Sequence, residues 1–428
     1  MALTGRLGLL ALLGALVVGL LFPSTAGVLG VGAVLLVLVA LDVALAGSVR
    51  ALRFSRSGTT SVRLGEPAEV TLTVTNPGRR TVRGLLRDAW PPSAVAGDRH
   101  RIAVPAGERR TVTTPMLPTR RGDRRAFRVT VRAVGPLGLA ARQGSHEVPW
   151  SVRVLPPFHS RKHLPSRLAR LQQLDGRSAV MIRGQGTEFD SLREYVVGDD
   201  VRSIDWRATA RAADVMVRTW RPERDRHVVL VLDTGRVSAG RVGDAPRLDA
   251  AMDAALLLAA LASRAGDRVD LLAYDRQVRA AVPSSPALLP ALVNAMAPLE
   301  PSLVETDARG MVAEVLRRSR RRALVVLLTG LDPAPLEEGL FPVLTSLTSR
   351  HHVIVASVAD PRVAEMAAAR GDAESVYDAA AAERTLAERA SATARLSRRG
   401  VDVVDAVPED LPPALADRYL ALKAAGRL

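Results

Sequence analysis

Two apolar runs open the chain. Leu7 to Phe22 carries no charge, Pro23-Ser24-Thr25 interrupts it, and Gly27 to Gly47 stays apolar apart from Asp42. A helix of about 20 apolar residues crosses a bilayer, so the second run is long enough alone; the first becomes so with Leu3 to Gly5 or slight local thinning. Arg6, an apolar stretch and the small residues Ser24, Thr25 and Ala26 also suit a signal peptide. The second run starts at once, however, which favours a two-helix transmembrane hairpin over residues 1–50. Arg6 precedes the hairpin, Arg50, Arg53 and Arg56 follow it, and its turn is uncharged. The positive-inside bias then gives a two-pass cell-membrane protein with both termini and the soluble domains cytoplasmic. Asp42 falls near the inner end of its helix, where interfacial water makes it tolerable without a role in an ion path.

The period then changes to two. Glu69 to Thr75 alternates and stops at Asn76-Pro77-Gly78, and shorter runs follow at Thr81 to Leu86, His100 to Val104, Arg109 to Thr114 and Phe127 to Val134. Residues 51–156 therefore predict a small β-sandwich-like module. Nothing in it looks catalytic, and its expected role is a spacer between membrane and head. Residues 157–225 form a connector plus a dense polar motif. Leu164 to Leu174 predicts an amphipathic helix. His159 and His163 stand four apart, a metal-ligand spacing on a helix, but with prolines on both sides and no third ligand they read as a solvated turn.

Residues 226–428 alternate apolar strands with helices. Strands are expected at His227 to Asp233, Ala323 to Thr329, Val353 to Val358 and Val401 to Asp405, with a hairpin of Arg268 to Tyr274 and Val278 to Val282. Helical periods fill Leu248 to Ala265, Pro286 to Ala297, Asp307 to Arg318, Pro335 to Ser349, Ala379 to Arg398 and Leu411 to Ala424. This order predicts an α/β domain whose mostly parallel sheet is covered on both faces.

Composition narrows the chemistry. The 428 residues contain no cysteine, which excludes disulfides and thiolate sites, and the formal charge is +15 with Lys162 and Lys423 as the only lysines. Such a balance follows from a GC-rich genome or from an anionic membrane or partner. With 3% aromatics and no stacking or helix-turn-helix motif, nucleic acid is not an expected partner. No P-loop, G-x-S-x-G elbow or H-E-x-x-H helix occurs.

The polar motif is specific. Gly186, Phe189, Leu192, Arg193, Glu194, Tyr195, Gly198, Asp199, Arg202, Ile204, Asp205, Trp206, Ala210 and Arg211 fall in one window. In this spacing they resemble the signature of the bacterial "domain of unknown function 58" family. Arg120-Arg121-Gly122 and Gly135-Pro136-Leu137-Gly138-Leu139 resemble the pattern upstream of it. The carboxylates Glu188, Asp190, Glu194, Asp199, Asp200 and Asp205 would allow acid–base chemistry. The favoured reading is instead a buried ion-pair ladder in which Arg193, Arg202, Arg207 and Arg211 neutralise them, with Tyr195 and Trp206 packed alongside.

The hairpin within a parallel series, with the family match, also resembles a von Willebrand factor A type domain. That likeness implies a divalent cation at the carboxyl ends of the strands, held by D-x-S-x-S, a threonine and a later aspartate. Asp233 takes the first place and Thr306 suits the threonine, but Gly235 and Val237 replace the serines. Gly330 stands where an acid is expected, with Asp332 two residues late and Thr234 and Ser238 as substitutes only after rearrangement. The expectation is a degraded site and no cofactor, magnesium being the one candidate. The resemblance further implies a non-enzymatic, membrane-anchored adaptor or assembly factor that works with a MoxR-type AAA ATPase on a membrane or envelope client. The alternatives are an enzyme of unknown type using the motif carboxylates, or a structural envelope protein independent of any ATPase.

Overall fold

The computed structural model describes residues 2–21, 23–181, 188–197, 199–212, 214–221 and 226–428. Met1–Leu155 packs as one compact unit and Pro156–Leu428 as another.

The first unit begins with a short strand β1 (Ala2–Leu3) and the apolar helices α1 (Gly5–Leu21) and α2 (Thr25–Leu45). Of the two, α2 is long and apolar enough to cross a membrane; α1 is a shorter apolar helix. Ser24 caps α2 by accepting from Gly27 N at 3.1 Å. Eight strands follow: β2 (Arg53–Gly58), β3 (Ser61–Arg63), β4 (Ala68–Thr75), β5 (Val82–Asp88), β6 (Arg99–Val104), β7 (Arg109–Met116), β8 (Gly122–Val134) and β9 (Ala140–Leu155). They make a three-stranded sheet, β2-β4-β7, and a sheet ordered β1-β9-β8-β5-β6 with β3 beside β9. Alternation sets the faces: Val70, Leu72 and Val74 of β4 point inward, while Thr71, Thr73 and Thr75 are half-buried. Between the sheets Leu72, Val74, Val82, Leu86, Val129 and Val131 form a continuous core.

Hydropathy does not mark strand β9, nor the shorter β2 and β3. The outward positions of β9 carry Gln143, Ser145 and Glu147, and its other face mixes Arg142, Gly144 and His146 with Val148 and Val152, so its period lacks contrast. Asp42 also departs from expectation. It is fully buried, and its carboxylate accepts from the amides of Leu137 (2.7 Å), Leu139 (2.8 Å) and Ala140 (2.8 Å) in the β8–β9 turn. A buried carboxylate needs such donors once water is removed. The turn satisfies it.

In the second unit a tight 3-10 turn, His159–His163, leads into α3 (Leu164–Met181), longer than its amphipathic part suggested. The turn is anchored by Ser160, whose amide (3.1 Å) and hydroxyl (2.7 Å) donate to Asp253. Next come β10 (Glu188–Glu194), α4 (Trp206–Thr209), β11 (Met216–Arg221), β12 (His227–Asp233), α5 (Arg236–Ala239), the small pair β13 (Arg241–Val242) and β14 (Ala245–Pro246), and α6 (Arg247–Arg264). Then follow β15 (Arg268–Tyr274), β16 (Val278–Val282), α7 (Leu288–Met296), α8 (Ala308–Arg318), β17 (Leu324–Leu328), a wide turn at Pro335–Leu340, α9 (Phe341–Thr348), β18 (His352–Val358), α10 (Pro361–Ala368), α11 (Ala373–Ser397), β19 (Asp402–Ala406) and α12 (Leu411–Ala424).

Six of these strands form a mixed sheet in the order β16-β15-β12-β17-β18-β19, with one antiparallel pairing, β15 to β16, and the other four parallel. Residues 228–232 and 353–356 of the strands His227–Asp233 and His352–Val358 are apolar without alternation because both sheet faces are covered. Helix α6 is apolar on nearly all sides and buried from Ala254 to Ala262, the composition of a helix enclosed by its neighbours.

Candidate functional site

Two places gather the candidate residues. The first is the carboxyl edge of the mixed sheet. Asp233 ends β12, Thr329 follows β17, and Thr306 precedes Asp307, which caps α8 by accepting from Gly310 N at 3.0 Å. Asp233 Oδ1 accepts from the Thr306 hydroxyl and from Gly235 N (2.8 Å), and Oδ2 accepts from the Thr329 hydroxyl (2.6 Å). Burial pushes the Asp233 carboxyl up from the ordinary range; the donors from Thr306, Thr329 and Gly235 oppose this, and nearby Asp275 adds to it. Gly235 permits the arrangement, since a Cβ there would lie 2.1 Å from Thr306 Oγ1. Sequence reasoning missed Thr329, although its place one residue past an apolar strand was a usable signal.

The expected second acid is held apart. Asp332 Oδ2 lies 3.6 Å from the guanidinium of Arg247, and Thr234 and Ser238 make no hydrogen bond to Asp233. Val237 brings a methyl group where an oxygen donor was needed: a Cβ at Gly330 would fall 2.1 Å from Val237 Cγ1. A hard divalent cation wants about six oxygen ligands with carboxylates among them. Here both oxygens of Asp233 are taken by protein donors and Asp332 faces a cation. This donor set does not fit magnesium.

The second place is the polar motif. Strands β10 and β11 form a two-stranded antiparallel ribbon, in register from Glu188↔Arg221 to Glu194↔Met216 with a bulge between Phe189 and Ser191. Its loop is built by carboxylates acting as caps. Asp199 accepts from Arg193 Nη2 (2.5 Å) and from Val196 N (2.9 Å). Asp200 caps a short 3-10 turn through Arg202 N at 2.9 Å. Asp205 caps α4 through the amides of Arg207 and Ala208, both at 3.0 Å, and accepts from Arg218 Nε at 2.7 Å. The Ala208 amide first, then Arg218, hold the Asp205 carboxyl below its usual range.

The expected buried ladder is not what forms. Arg202, Arg207, Arg211 and Glu194 are exposed, Trp206 is 70% exposed, and the partner of Asp205 is Arg218, which lies outside the motif. Helix α4 is a single turn, so its first residue, Trp206, has no neighbouring turn to pack against. Tyr195 is half-buried, with its amide bonded to Val215 O at 2.7 Å. Gly184, Gly186 and Gly198 lie outside the described residues; Glu188, Phe189 and Asp190 lie on β10, their side-chain surroundings likewise outside the description.

The second unit is thus an α/β domain with a two-stranded ribbon ahead of its mixed sheet. Residues 191–399 match the family described as "Protein of unknown function DUF58", a span that runs from β10 past the end of α11. Similar curated proteins include uncharacterized protein Rv1480 of Mycobacterium tuberculosis and uncharacterized protein Mb1516 of Mycobacterium bovis, each 29% identical over 200 residues, or 45% of this chain and 61% of the relative. The chain therefore spans about three-fifths of the length of the curated relatives it matches. Among solved structures, the CARDB domain of PF1109 from Pyrococcus furiosus is 19% identical, covering 24% of this chain and 94% of that one at a TM-score of 0.19. A PapD-like domain of human CEP192 is 18% identical, covering 24% and 84% at a TM-score of 0.17.

Proposed function

We propose that this is a DUF58 family protein serving as a membrane-anchored, non-enzymatic adaptor, whose von Willebrand A-like head brings a MoxR-type AAA ATPase to a membrane or envelope client. The observation that carries the reading is the ribbon loop, where the carboxylates are spent on caps and ion pairs while Trp206, Val197 (95% exposed) and Val201 stand out into solvent. A large aromatic surrounded by arginines is the usual composition of a protein-recognition hot spot. Acid–base catalysis asks for a carboxyl poised near neutrality in a cleft; Asp205 is shifted the other way and lies on an exposed loop.

Two-pass anchoring is part of the proposal. Its support is that the start of α1 and the end of α2 meet the same turn of the β-module, through Thr4 and Asp42, so both helices end on one side. Gentle solubilisation of the tagged full-length protein from its native membrane is expected to recover an AAA ATPase, and Trp206→Ala to lose it. Recovery of no ATPase above background from the unaltered protein would refute the partnership.

A further inference from the structure

The β-module has a charged end and a mixed end, and the helices stand on the charged one. Thr4 donates through its hydroxyl to Gly138 O at 2.6 Å and through its amide to Leu139 O at 3.0 Å; Asp42 accepts from the same turn. Arg80 donates through Nη1 to Ala44 O at the last turn of α2, and Gly47 abuts Val82 so closely that a Cβ would sit 2.7 Å from Val82 Cγ2. Strand register carries this end across both sheets: Val82 pairs with Val104, Thr75 with Arg109 and Val134 with Ala141.

Around it are six exposed arginines, Arg6, Arg50, Arg79, Arg80, Arg83 and Arg109. The carboxylates at this end are Glu108, which pairs with Arg110 at 2.9 Å, and Asp42, whose oxygens are filled by backbone amides. Glu66, Asp98 and Asp123 lie at the opposite end of the strands. Arginines stand at both ends, but at the far end Arg87, Arg125 and Arg153 pair with Asp98 and Asp123, so the end continuous with the apolar helix is the one whose arginines meet few acids.

We propose that this arginine collar is a docking surface for the headgroups of an anionic bilayer, and that the Asp42 clamp holds the module upright so that the collar lies on the lipid. The inference rests on the membrane-anchor reading. Guanidinium groups suit lipid phosphodiesters because their planar fork donates two hydrogen bonds at once. An anionic leaflet attracts such groups within about 10 Å at moderate salt. Arg6 stands at the start of α1, Arg50 follows α2, Arg79 and Arg80 lie in the β4–β5 turn, and Arg83 and Arg109 stand at the beginnings of β5 and β7, positions that a flat headgroup layer would meet together.

The chain has no cysteine, so Ala106→Cys in the exposed 105–108 turn and Glu66→Cys at the far end give unique labelling sites. Full-length protein carrying a polarity-sensitive dye is placed in nanodiscs of phosphatidylglycerol or of phosphatidylcholine. The expected result is a blue shift at position 106 in phosphatidylglycerol only, abolished by molar salt and by Arg79→Glu/Arg80→Glu/Arg109→Glu, with no shift at position 66. Equal emission at position 106 in both lipids, or a shift that survives the charge reversal, overturns the proposal. Carbonate extraction separates this from the reading beneath it. Release of the chain by carbonate refutes the anchor itself, whereas retention with a lipid-blind probe refutes the collar alone.

Discussion

The hydroxyl of Thr329 donates to Asp233 Oδ2 at 2.6 Å across the carboxyl ends of two neighbouring parallel strands. Register makes this pairing, since Leu232 lies opposite Leu328 and the next residue of each strand follows on the same edge.

That bond bears on a testable consequence. Asp233 is a carboxyl whose folded pKa is raised by burial. A raised value means that stability from this group is full below the ordinary carboxylate pKa of about 4 and is lost as pH rises through the folded value. Asp233→Asn, which removes the charge, is therefore expected to match or exceed the unaltered protein at neutral pH and to lose that advantage near pH 4. Asp233→Ala leaves two hydroxyls and an amide unpaired and is expected to cost about 1–3 kcal/mol at every pH. Thermal melts across this range decide. A melting temperature raised by magnesium in the unaltered protein, and not in Asp233→Ala, would contradict the donor-set argument.

Apolar contrast decided what could be read from the chain. His227–Asp233 and Arg268–Tyr274 fall where hydropathy puts them, because their buried runs 228–232 and 271–274 are apolar, while Val278–Val282, exposed along most of its length, is placed as the return strand of a hairpin. Strand β9 and the ribbon strands β10 and β11 do not: β9 mixes Arg142, Gly144 and His146 into its inner face, and residues 188–194 and 216–221 are rich in charged and polar types. Asp233 and Thr306 were visible as an acid ending a strand and a hydroxyl preceding a helix cap; their contact is tertiary. The charge pattern of the motif suggested pairing but not depth, and Arg193 with Asp199 pairs at the surface.

His351 concerns acid stability. It is 4% exposed, neither ring nitrogen has a hydrogen-bond partner among the described residues, and burial, with Arg350 and His227 adding to it, lowers its pKa. A depressed histidine contributes stability that is present above the unfolded value of about 6.5 and lost as pH falls towards the folded one. His351→Leu is expected to leave the protein equally stable or up to about 2 kcal/mol more so, because an unpartnered buried polar group is removed. It should also weaken the pH dependence just below 6.5. Denaturant melts at two pH values measure both effects. A His351→Leu protein that is destabilised with its pH dependence intact would show the ring to be doing something else.

Lys423 tests a buried ion pair. Its ammonium lies 3.0 Å from Asp267 Oδ1, the Tyr419 hydroxyl donates to the other oxygen, and both charged side chains are buried. Burial raises the Asp267 carboxyl pKa, with Lys423 opposing it. Lys423→Met strands that carboxylate and is expected to cost about 3–5 kcal/mol. Adding Asp267→Asn should recover much of the loss, because the charge that needed a partner is gone. A double-mutant cycle reports the coupling, and simple additivity of the two changes would disprove it.

Asp205 shows how a half-buried capping residue of the motif should behave. It caps α4 through two amides and pairs with Arg218. Asparagine is as good a cap as aspartate, so Asp205→Asn keeps the first role and gives up the second; alanine gives up both. Hydrogen exchange at the amides of Arg207 and Ala208 is expected to be little changed in Asp205→Asn and clearly faster in Asp205→Ala. The global melting transition is expected to move in neither, because among the described residues Asp205 bonds only to its own loop and to Arg218 of β11. Had the motif been a buried charge ladder, both variants would have lowered that transition together. Such a joint drop would return the ladder to consideration and remove the ribbon as the recognition surface.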